Sequence, residues 1–132
     1  MQKASLKNLE KEQEGKIQAD ILRWLNMQPK AECLAWRNYT GPIIRVGGKK
    51  QIFFTANPAA GGPDIIVIFK GRFVGIEVKT KKGKLSEKQE GFMKNATKAG
   101  AFYFVVTSLD EAQKCIKQVK DVCIETYLNR RQ

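Results

Sequence analysis

Asp64-Ile65-Ile66-Val67-Ile68-Phe69-Lys70-Gly71-Arg72-Phe73-Val74-Gly75-Ile76-Glu77-Val78-Lys79 reads as two strands joined by a tight turn. Residues 64–69 and 72–79 are rich in β-branched and aromatic side chains, which suit a pleated, packed surface. Lys70-Gly71 forms a two-residue loop, and its glycine accepts the positive φ of a hairpin turn. With Phe69 opposite Arg72, Asp64 falls directly opposite Glu77, and their Cβ atoms are expected about 4.5–5.5 Å apart. Two like charges at that distance repel unless a cation lies between them. Glu77 and Lys79 are two apart, so both emerge on one face of their strand. Two carboxylates and an ammonium converging beside a strand end have the chemistry of divalent-metal phosphodiester cleavage.

The flanking elements follow from the same kind of reading. Ile65, Val67 and Phe69 alternate with Ile66 and Ile68, so both faces of the first strand are apolar. That predicts a position in mid-sheet with cover on both sides. After the hairpin, Lys79-Thr80-Lys81-Lys82-Gly83-Lys84 is a basic loop, and Ser86-Glu87-Lys88-Gln89 has the form of a capping box. It opens a helix to about Lys98, with Phe92, Met93, Ala96 and Ala99 as its buried stripe and Gly100 closing it. Phe102 to Thr107 is a further apolar strand. Ser108 then caps a helix carrying Ala112, Ile116 and Val119. Cys123 and Tyr127 extend its spacing, while Lys120-Asp121 is a candidate break, so two readings of residues 121–131 stay open.

Upstream, residues 6–27 read as an amphipathic helix with Ser5 as N-cap and Pro29 beyond its end. Leu6, Glu10, Glu14, Ile17, Ile21 and Trp24 fall on one face. Cys33 to Tyr39 is the first strand. Thr40-Gly41-Pro42 leads into a Gly/Lys-rich segment, where Ile43-Ile44 and Ile52-Phe53-Phe54 predict a loose hairpin. The element order is α-β-β-β-α-β-α. It defines an α/β fold, a mixed central sheet flanked by helices, in one domain spanning residues 1–132.

Composition narrows the partners. Lys and Arg number 24 against 13 Asp and Glu, a net charge of +11. A small basic domain favours a polyanion. The apolar runs are too short to span a bilayer, and the N-terminus lacks a signal-peptide pattern. A cytoplasmic protein near nucleic acid is expected, with no membrane partner and no nucleotide cofactor. Cys33, Cys115 and Cys123 have no Cys-x-x-Cys spacing, and three reduced, mostly buried thiols are expected. Histidine is absent, so imidazole-based general-base and zinc schemes are excluded.

Gly61-Gly62-Pro63-Asp64, Ile76-Glu77-Val78-Lys79, Gly83-Lys84-Leu85-Ser86 with Gln89, and Ala99-Gly100 before an apolar strand together resemble the VRR-NUC domain. This is the virus-type replication-repair nuclease branch of the PD-(D/E)XK superfamily. Arg37-Asn38-x-Thr40-Gly41 and Glu14-x-x-Ile17-Gln18 fit the same pattern, so the likeness runs from about Glu14 to Ser108. The resemblance implies a restriction-endonuclease-like core and a DNA endonuclease using Mg²⁺ or Mn²⁺. Asp64 and Glu77 would be metal ligands, with the Val78 carbonyl as a third. Lys79 would orient the attacking water and stabilise charge on the phosphate. Glu14 would lie near the metal, and Gln89 would contribute from the helix after the hairpin. Stand-alone phage or bacterial domains of this type resemble homodimers that cut branched DNA, notably four-way junctions.

Other readings accompany these. Gln89 can serve the capping box alone. Arg37 is divided between a sheet-edge salt bridge and a phosphate contact. Arg45, Lys49 and Lys50 before the carboxylates, and Lys81, Lys82 and Lys84 after them, form a candidate phosphate track, against the reading of solubilising surface. Phe53 and Phe54 are more readily a packing pair than a wedge at a DNA branch. A flap or duplex nuclease of the same fold, or a basic DNA-binding module without chemistry, are the competing functions.

Overall fold

The computed structural model describes residues 2–38 and 61–131. The expected loose hairpin, with Phe53 and Phe54, lies outside the described residues, as do Arg45, Lys49 and Lys50. The elements follow the order α1 (Gln2–Asn26), β1 (Cys33–Arg37), β2 (Ile65–Phe69), β3 (Arg72–Val78), α2 (Glu87–Lys98), β4 (Phe102–Val106) and α3 (Leu109–Arg130). This is the sequence-derived order, element for element. The four strands form one mixed sheet, β1-β2-β3-β4, with two antiparallel pairs and a parallel β3–β4 pair.

The β2–β3 hairpin has the predicted register: Phe69 faces Arg72 and Ile65 faces Ile76. Its turn puts Lys70 at φ 48° and Gly71 at φ 79°. Positive φ at both central residues matches the right-handed twist of the strands. Lys70 also closes the β1 side, its N–H donating to the Glu32 carbonyl at 2.8 Å.

Alternation of side chains divides the sheet into two unlike faces. On one face Cys33, Ala35, Ile65, Val67, Phe69, Val74, Ile76, Val78 and Val106 are buried against Ile21 and Leu25 of α1 and Ala112, Ile116 and Val119 of α3. The predicted stripe of α3 is therefore its core stripe. The helix runs unbroken to Arg130, which resolves the open reading of residues 121–131; Lys120 and Asp121 are exposed and interrupt nothing. Arg72 anchors the far part of α3 by donating to Thr126 Oγ1 at 3.1 Å.

On the other face the expected full cover is incomplete. Leu34, Trp36, Ile68 and Phe73 remain exposed among the described residues. Both long helices lie on the opposite face, and the twelve-residue α2 packs over β4. The stripe of α2 is correspondingly shallow: Phe92, Met93 and Ala96 are half-buried and Ala99 is exposed.

Helix α1 begins before Ser5, which sits inside it rather than at its cap. Leu6 and Leu9 in its first turns are exposed, while Ile21 and Leu25 are fully buried. The helix meets the sheet only through its second half. Cys33 is buried, Cys115 and Cys123 are half-buried, and all three are free thiols. No helix of the described residues is long and apolar enough to cross a membrane.

Candidate active site

The site lies on the partly covered face, at the end of the hairpin away from its turn. Asp64 follows the loop Gly61-Gly62-Pro63 and precedes β2; Glu77 is the penultimate residue of β3. Extending the observed register by one pair sets them opposite each other. The Asp64 carboxylate is held by the backbone across the strand: Oδ2 accepts from the Val78 N–H at 2.8 Å. In a strand, the N–H and C=O of one residue point to the same side. The Val78 carbonyl is therefore turned toward the Asp64 side of β3.

Glu77 is the buried charged residue of the described chain, 2% exposed. Its Oε1 accepts from Gln89 Nε2 at 2.7 Å, and Lys79 Nζ lies 3.6 Å from the same oxygen. Its Oε2 is buried with no hydrogen-bond partner. Burial and the neighbouring Asp64 charge push the Glu77 carboxyl up to about 7, against the opposing pull of Lys79. Burial also raises Asp64, opposed by the Val78 N–H and by the positive charges of Lys79 and Arg37. An unpartnered carboxylate oxygen inside a protein costs on the order of 1–3 kcal/mol or more. A proton or a cation at Oε2 relieves both the burial and the repulsion.

Gln89 reaches Glu77 because α2 is anchored at its start. Ser86 Oγ accepts from the Gln89 N–H, and Gln89 Oε1 accepts from the Ser86 N–H at 2.9 Å. The amide oxygen thus completes the capping box while the amide nitrogen serves the carboxylate. The capping role does not keep Gln89 from the carboxylate.

The loop before Asp64 is seated by contacts that the sequence reading missed. Asn38, just past β1, donates from Nδ2 to the Pro63 carbonyl at 3.0 Å and from its backbone N–H to the Asp64 carbonyl at 2.8 Å. Gly61, at φ +82°, lies so close to α2 that a Cβ there would come 2.3 Å from the Lys88 carbonyl oxygen. Gly75 leaves room for Pro63: a Cβ at that position would meet Pro63 Cγ at 2.8 Å. A short polar side chain after a strand and glycines beside Pro-Asp were the only local signals.

Asp64, Glu77, Lys79 and Gln89 are therefore brought together, with Val78 contributing its backbone. Glu14 is not gathered with them. It is half-buried in α1, and no group of three or more carboxylate, thiol or imidazole residues suited to a metal occurs among the described residues. The first half of α1 instead faces the basic loop. Glu10 and Gln13 line a groove of about 460 Å³ with Thr80, Lys81, Lys82 and Thr107. Lys81, Lys82 and Lys84 are exposed on this loop, whose turn is closed by the Gly83 N–H donating to the Thr80 carbonyl at 2.9 Å. Arg37 is exposed at the end of β1, with its charge felt at Asp64.

With this geometry in place, comparison with known proteins gives a consistent picture. The VRR-NUC domain profile matches residues 12–110, most of the chain. A solved structure described as a VRR_NUC domain superposes with a TM-score of 0.53 at 24% identity, covering 80% of this chain and 95% of that one. At that identity the likeness speaks for the fold. No curated protein matches the chain.

Proposed function

The chain belongs to the VRR-NUC domain family and is a nuclease domain, and from that premise we propose that it is a Mg²⁺- or Mn²⁺-dependent DNA endonuclease selective for branched substrates. The observation that carries the metal reading is the half-buried Asp64 set opposite a buried Glu77 whose Oε2 is unpartnered. Two carboxylates and the Val78 carbonyl are hard oxygen donors, the set that such cations prefer. A cation held by them supplies charge neutralisation at the phosphate and lowers the pKa of a water.

The chain's own groups do the rest. The Val78 N–H fixes the Asp64 carboxylate, and Gln89 holds Glu77 by Oε1, leaving Oε2 without a partner. Lys79, 17% exposed in its side chain, orients the attacking water and stabilises negative charge growing on the phosphate. Arg37 and Lys81, Lys82 and Lys84 guide the DNA backbone to it. A four-way junction presents two opposed strands, and a two-fold homodimer supplies two equivalent sites for them.

Asp64→Asn tests the chemistry. The expected result is loss of divalent-metal-dependent cleavage with DNA binding retained; an unchanged rate, with contaminating nuclease excluded, removes the proposed centre. Cleavage mapping on matched four-way junction, flap and linear duplex tests selectivity. Equal cutting of linear duplex replaces the junction reading with that of a flap or duplex nuclease.

A further inference from the structure

Besides Glu77 Oε2, one other buried side-chain atom of the described residues lacks a partner: the Tyr103 hydroxyl oxygen. Tyr103 lies in β4 opposite Gly75, and Glu77 is two residues further along β3. Residues two apart share a face, so Tyr103 and Glu77 project to the same side of the sheet. The ring is held in place from two sides. Its Cδ2 sits 3.2 Å from where a Gly75 Cβ would be, and the Phe92 ring of α2 packs 6.0 Å away between centroids. A side chain at position 75 would displace the ring, so glycine there admits the tyrosine as well as Pro63.

Two orphaned, buried polar atoms on one face of the sheet, a carboxylate oxygen that accepts when ionised and a hydroxyl able to donate, are complementary. Buried polar groups that lack a direct partner are commonly joined through an ordered water with two to four hydrogen bonds. We propose that Tyr103 is a positioning residue for Glu77, its hydroxyl donating through one bridging water to Glu77 Oε2. The carboxylate is then held at both oxygens, by Gln89 at Oε1 and by Tyr103 at Oε2, which retains a lone pair for a cation. Burial first, and then the negative charges of Glu77 and Asp64, push the Tyr103 hydroxyl up and keep it in its protonated, donating form. This deepens the metal reading of the same site and rests on it for its consequence, though not for the hydrogen bond itself.

Outer partners of metal ligands typically change affinity by about 10- to 100-fold when removed. Tyr103→Phe keeps the ring and its packing and deletes only the hydroxyl. The experiment compares wild type and Tyr103→Phe in two ways. Calorimetric titration with Mn²⁺ is expected to show about tenfold weaker binding in the variant, with cleavage recovering at high Mn²⁺. In chelator at fixed pH, the ¹³C resonance of the Glu77 carboxyl and the side-chain amide protons of Gln89 are expected to shift. Unchanged resonances overturn the proposal, whatever the metal affinity. Shifted resonances in a protein that binds no Mn²⁺ in either form uphold the hydrogen bond and overturn the metal reading instead. Shifted resonances with equal Mn²⁺ affinity reject the positioning role.

Discussion

At Glu77 burial and the charge of Asp64 act in the same direction. The carboxyl stands near 7 in the folded chain against an ordinary 4.5. The folded state therefore binds this proton more tightly than the unfolded chain does. The resulting stability is fully present below about pH 4.5 and is lost as pH rises through 7. Asp64 is raised as well and adds to the same trend. With no histidine in the sequence, few other side chains titrate between pH 5 and 8. In chelator, the melting temperature is expected to fall across that interval when followed by circular dichroism. Glu77→Gln, neutral and nearly isosteric, is expected to remove most of the fall. Added Mg²⁺ is expected to raise the melting temperature more at pH 8 than at pH 5.5, since protons compete for the same oxygens. A wild-type melting curve indifferent to pH would show that the two carboxylates are not forced together.

Between elements, the site depends on α2 being pressed against the loop before Asp64. Gly61→Ala puts a Cβ on the Lys88 carbonyl at a backbone angle that L residues rarely adopt. It is expected to destabilise by roughly 1–3 kcal/mol in urea unfolding and to lower cleavage beyond the loss of folded protein, because Asp64 and Gln89 part. Ser86→Ala removes one half of the capping box and is expected to cost about 1 kcal/mol, with a smaller effect on cleavage as Gln89 loosens. These element contacts mark where sequence reading stopped. The hairpin register was legible because a two-residue turn leaves one pairing, and Asp64 and Glu77 follow from it by counting. The Ser86–Gln89 box was legible because it is local. Gly61 against Lys88, Asn38 on Pro63 and Tyr103 beside Gly75 join segments far apart in sequence, and no spacing rule carries them. That Glu14 forms no three-residue cluster with Asp64 and Glu77 has a related reason: helical periodicity gives a face, but not which part of the helix reaches the sheet. The alternation of β2 likewise told that both faces are apolar, not that both long helices share one of them.

Across the whole molecule, a net charge of +11 includes lysines flanking the Asp64–Glu77 pair. If Lys81 and Lys82 contact phosphates, binding of a DNA junction weakens steeply with salt, and their double replacement by Ala is expected to flatten the slope of log affinity against log salt by about 0.9 per lost contact. Fluorescence anisotropy at several salt concentrations reads this directly; an unaltered slope assigns these lysines to the surface alone. The closeness of the two acids also bears on how the chain assembles. Their hairpin is closed by Lys70-Gly71 and needs no distant partner, so it belongs to the contacts that can form within microseconds. The parallel β3–β4 pairing must wait for α2 to cross over and is the slower, non-local event. Repulsion between Asp64 and Glu77 is thus met early, before Gln89 arrives on its helix to share the charge. A proton or a cation between the two acids would ease that encounter, so whatever settles the finished pair would also smooth its assembly.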